Sequence, residues 1–131
     1  MSFHATGPFE VKLTPQAAEG ENTAVARMTI EKQFHGELEA ASRGQMLSAL
    51  TGARGSAGYV AMEVVSGVLG GRQGTFVLQH SGTMDRGQPR LSVTVVPDSG
   101  TDELSGLSGS MDIRIEPGGK HFYDFDYAIA E

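Results

Sequence analysis

The sequence predicts an all-β domain, a closed eight-stranded antiparallel up-and-down barrel, and three observations carry that prediction. Glycine is abundant, at 18 of 131 residues, and falls at short intervals between β-branched and aromatic runs, as in a chain of short strands and tight turns. Within those runs apolar and polar residues alternate with the period of two that gives a strand one apolar face. The dipeptide Gly70-Gly71, which tolerates the positive φ of a tight turn, separates two such runs and marks a hairpin.

The elements follow in order. Phe9, Val11 and Leu13 alternate with Glu10, Lys12 and Thr14; Met28, Ile30 and Phe34 alternate with Arg27, Thr29, Glu31 and Gln33. Glu37 to Leu50 has a helix-favouring composition, yet Gly44 in its middle costs ~1 kcal/mol in a helix. Leu38, Ala40, Ser42, Gly44 and Met46 can form one face of a strand, and the segment is read so. Tyr59 to Leu69 and Thr75 to Ser81 flank the Gly70-Gly71 turn. Leu91, Val93 and Val95, then Leu107, Met111, Ile113 and Ile115, and finally Tyr123, Phe125, Tyr127 and Ile129 supply the rest. Sequential antiparallel strands leave two edges to hide, and closure hides both. A barrel of eight strands is wide enough to be filled by side chains or to hold one small ligand.

Composition narrows the function classes. A chain of 131 residues fits one domain, spanning 1–131. It has no cysteine, which rules out disulfides and thiolate metal sites and makes a reducing cytoplasm the expected location. The start, MSFHATGPFE, lacks the basic lead and apolar run of a signal peptide, and no stretch approaches the ~20 apolar residues of a membrane-spanning helix. The net charge of −6, with acidic and basic residues mixed, argues against a nucleic-acid partner. Val60, Met62 and Val64 make the second face of their strand unusually apolar, so a homo-oligomer is expected.

The runs FVLQHSGTM (76–84), LSVTVVPDSGTDELSGLSG (91–109) and HFYDFDY (121–127), with FHGEL (34–38) and GSAGYVAMEVVSG (55–67), carry a resemblance across most of the chain. It resembles the small bacterial family named domain of unknown function thirty-two twenty-four, whose members look like allene oxide cyclase barrels and other calycin-type barrels. The resemblance implies an eight-stranded barrel and favours strand over helix for 37–50. The cyclase likeness implies an apolar cavity that folds a flexible hydrophobic substrate, and it assigns no catalytic residue; fold alone does not define function.

Several motifs are weighed against plainer readings. Asp98-Ser99-Gly100-Thr101 has the form of an aspartic protease turn, but Pro97 stands where an apolar strand residue is expected and Asp102-Glu103 follows, so an ordinary turn is the better reading. Gly52, Gly55 and Gly58 have glycine-loop spacing, yet a strand follows where a phosphate cradle needs a helix. His4, placed in a loose terminus, and His35, on a polar face, do not combine with the other histidines at ligand spacing, so neither a metal nor a cofactor is expected.

Three polar residues share a face with apolar neighbours: Glu63 with Tyr59 and Val65, His80 with Phe76 and Leu78, His121 with Tyr123 and Phe125. Glu63 and His80 are the candidate catalytic pair; Tyr59, Phe76, Leu78, His121, Tyr123 and Phe125 are candidate ligand contacts. Capping a barrel end or pinning the hairpin is the competing role for each polar group. A Gly70-Gly71 turn sets Ala61 opposite His80 and Leu78 opposite Glu63, leaving the polar pair diagonal on one face; a turn at Gly71-Arg72 sets them directly opposite. The expected function is binding of a small apolar metabolite inside the barrel. The alternatives are a cyclase or isomerase acting on such a molecule, and a filled barrel with a structural or oligomer-forming role.

Overall fold

A computed structural model describes residues 2–16 and 25–130. Its strands are β1 (Ser2–Pro15), β2 (Val25–Phe34), β3 (Leu38–Leu50), β4 (Ala57–Leu69), β5 (Arg72–Asp85), β6 (Gln88–Val95), β7 (Leu107–Ile115) and β8 (His121–Ile129). Each pairs antiparallel with its neighbours in sequence, and β1 pairs with β8, so the sheet closes into an up-and-down barrel. Of the segment 37–50, Leu38–Leu50 is strand, as the alternation of Leu38, Ala40 and Ser42 suggested.

β1 begins earlier than the alternation from Phe9 suggested. Its first half pairs with β8 and its second half with β2, the change of partner falling at Phe9. Pro8 sits at that handover, where its missing N–H costs little, and its carbonyl accepts from the His35 N–H at 3.0 Å. His4 is therefore not in a loose terminus. It lies in β1 opposite Asp126, whose carboxylate contacts its Nδ1 at 2.7 Å. That contact raises the His4 pKa, and the Glu10 carboxylate does the same for His35.

Glycines on the inner face let the strands curve. A Cβ at Gly44 would run into the Met62 carbonyl and lie 2.6 Å from the Glu63 Cα. Gly44→Ala is expected to lower stability by about 1–3 kcal/mol, because the clash is with backbone rather than a movable side chain. Urea unfolding checks it, and a variant as stable as the parent would contradict this account of the bend.

The sheet has one thin seam, since β6 meets β7 at the single pair Thr94↔Ser110. The connection between them covers the rest of β5: the Thr101 N–H donates to the Thr75 carbonyl at 2.9 Å and the Val96 N–H to the Val77 carbonyl at 2.9 Å. Asp98-Ser99-Gly100-Thr101 lies in this connection and begins within a turn, in which the Ser99 N–H donates to the Val96 carbonyl at 3.1 Å. The Ser99 hydroxyl donates to the Val96 carbonyl at 2.7 Å and accepts from the Val77 N–H at 3.1 Å. A short 3-10 turn, Asp102–Leu104, then buries Leu104 under that end of the barrel.

The interior is filled unevenly. Toward the end that Leu104 closes, Phe125 stacks between Phe76 and Tyr127, with centroids 5.9 and 5.3 Å away, and Phe34 meets Tyr123 edge-on. Leu38, Leu69, Leu78 and Val65 complete this packed half and are almost fully buried. The Tyr123 hydroxyl donates to the His35 carbonyl at 2.8 Å and accepts from the Leu38 N–H at 3.1 Å, tying β8 to the β2–β3 turn.

Candidate functional site

The opposite half of the barrel is hollow. A cavity of about 510 Å³ opens there, above the ~300 Å³ at which small-molecule pockets begin. Its wall is largely apolar, with Phe9, Val11, Ile30, Met46 and Ile113 among its residues, and Leu13, Leu50 and Ile115 stand at its mouth with 47, 81 and 67 % of their surface exposed. These exposed aliphatic groups form an apolar rim around the opening.

Polar groups meet at the cavity floor. Gly70 and Gly71, both at positive φ, form the hairpin turn and set Leu69 against Arg72. Counting back gives Ala61↔His80 and Glu63↔Leu78, the first of the two registers considered, so Glu63 and His80 are diagonal neighbours on the inner face. His80 Nε2 lies 3.0 Å from Glu63 Oε1. The structure adds two further partners: Lys32 Nζ donates to the same oxygen at 3.1 Å, and the Ser42 hydroxyl donates to Oε2 at 3.0 Å. Glu63 is wholly buried, yet both its oxygens are bonded.

Burial pushes the Glu63 carboxyl up. The His80 hydrogen bond and the nearby Lys32 charge outweigh that effect and hold it below the usual carboxylate range. Lys32 in turn sits over the Phe9 and Phe34 rings, its Nζ 5.2 and 5.7 Å from their centroids. On the cavity side of the cluster the Tyr59 hydroxyl lies 3.4 Å from His80 Nδ1. Burial, followed by the Glu63 charge, raises the Tyr59 pKa and keeps the phenol protonated. The result is a continuous chain from Lys32 and Ser42 through Glu63 and His80 to Tyr59, with Lys32, His80 and Tyr59 on the cavity wall.

The candidates named from sequence fall into two groups. Tyr59, His80 and His121 lie on the cavity wall, and Glu63 lies behind it; Phe76, Leu78, Tyr123 and Phe125 belong to the packed core. Lys32 was missed, although it is in phase with Ile30 and Phe34, and a cation on an apolar face is the signal that identifies it. Among the described residues no group of three or more His, Asp and Glu side chains comes together as a metal site.

Comparison with known proteins bears on fold and family. No curated protein matches the chain. A crystal structure of a protein of unknown function from Shewanella oneidensis MR-1, itself from the DUF3224 family, superposes with a TM-score of 0.94 at 52 % identity, covering 100 % of this chain and 99 % of that one. The sequence profile of the DUF3224 family, described as proteins of unknown function, matches residues 5–127, and the chain therefore belongs to that family.

Proposed function

We propose that the protein binds a small, largely apolar metabolite in the open half of the barrel. The observation that carries this reading is the 510 Å³ cavity, whose apolar wall ends in a few convergent polar groups. Burying an apolar body there gains ~25 cal/mol for each Å² removed from water, and the polar floor fixes its orientation.

The test is a titration with N-phenyl-1-naphthylamine, a neutral apolar fluorophore. Its emission is expected to rise on binding, and Ser48→Phe, which places a ring on the cavity wall, is expected to remove the rise while the fold persists by circular dichroism. Equal enhancement by the parent and the variant would place the dye elsewhere and defeat the reading.

The Glu63–His80–Tyr59 chain favours a second reading, in which the bound molecule is isomerised or cyclised. A carboxylate that orients an imidazole toward a ligand site is an arrangement for general acid–base catalysis, and the cavity would supply the orienting shape.

A further inference from the structure

We infer that the cavity selects neutral molecules carrying a hydroxyl group, an alcohol or a phenol on an apolar body, over the matching carboxylates. The inference rests on the cavity being a ligand site and specifies what its floor recognises.

Glu63 Oε1 is an acceptor, so the His80 nitrogen that faces it at 3.0 Å carries a proton. With the ring's single proton on Nε2, the tautomer that this contact favours, Nδ1 is left as an acceptor. Among the described residues its side-chain hydrogen-bond partner is the Tyr59 hydroxyl, and at 3.4 Å that contact is long for an O–H donor, whose ordinary distance is ~2.7–3.0 Å. The floor therefore presents an under-used acceptor beside a donor. A hydroxyl satisfies both at once by donating to His80 Nδ1 and accepting from Tyr59.

The charges point the same way. Lys32, the cation on the inner wall, is already paired with Glu63 at 3.1 Å, so the buried pair is balanced before any ligand arrives. A carboxylate lowered onto this floor meets the lone pair of Nδ1, and among the described residues the cation at that depth is Lys32, already committed to Glu63; an unpaired buried charge is costly. Arg90 also borders the cavity, but it is exposed at the mouth, where solvent weakens its attraction for an anion.

Three probes that share one body separate the possibilities: 2-naphthol, 2-methylnaphthalene and 2-naphthoate. The chain has no tryptophan, so naphthyl emission can be followed without that background. At pH 7.5 the expected order is 2-naphthol, then 2-methylnaphthalene, then 2-naphthoate, with naphthol ahead of the methyl compound by about tenfold from two hydrogen bonds. Tyr59→Phe removes the donor without touching the buried pair and is expected to reduce that advantage severalfold. His80→Gln is a second variant that removes the ring acceptor. Equal affinity of naphthol and methylnaphthalene, or naphthoate binding best, would overturn the hydroxyl preference and leave the cavity as a ligand site. Failure of all three probes to bind would overturn both.

Discussion

Glu63→Leu is expected to lower the unfolding free energy by about 3–5 kcal/mol, the usual cost of stranding one member of a buried ion pair. The variant leaves the Lys32 ammonium almost fully enclosed over two aromatic rings and takes the acceptor from the His80 ring and the Ser42 hydroxyl. The double variant Lys32→Met/Glu63→Leu is expected to recover most of the loss, because buried pairs are often replaceable by apolar residues of similar volume. Acid sensitivity provides a second readout. The folded-state pKa of Glu63 lies below the ordinary 4.5, so its contribution is present above that value and is lost as the pH falls through the folded-state pKa. The parent should therefore lose stability on acidification below the ordinary value, and the double variant should lose less. Urea unfolding across that range decides it, and identical acid limbs would show that Glu63 does not contribute in this way.

Phe125→Ala is expected to cost about 3–5 kcal/mol, whereas Ile113→Ala is expected to cost well under the ~2–5 kcal/mol of a fully packed aliphatic truncation. Phe125 is completely buried between Phe76 and Tyr127, so removing its ring opens a void that rigid neighbours cannot fill. Ile113 is only half-buried and already borders empty volume on one side, so fewer contacts are lost. The comparison tests the uneven filling of the barrel. Similar losses at both sites would mean that the open half is as tightly packed in solution as the closed half.

Much of this architecture was legible in the sequence because strand alternation reports which face a side chain occupies. Gly70-Gly71 narrowed the hairpin to two registers, either of which puts Glu63 and His80 on one face, and Gly44 was compatible with a strand in which a Cβ has no room. Alternation does not report height along the barrel axis. His121, Tyr123 and Phe125 share one face of β8, yet only the first reaches the cavity, because each two-residue step along the strand advances ~6–7 Å and carries the others into the packed half. Lys32 was overlooked for a different reason: a lysine among alternating residues reads as solvated unless its phase is counted. The early start of β1 was not legible because the apolar–polar alternation begins only at Phe9, where the strand changes partner.

Binding of a small apolar molecule in the open half of the barrel would be seen outright in a crystal structure grown with N-phenyl-1-naphthylamine. Ring density inside the cavity, against Phe9, Ile30, Met46 and Ile113 and above the His80–Tyr59 floor, is the expected result. Dye density confined to the outer surface, with the cavity closed by its own side chains, would contradict it.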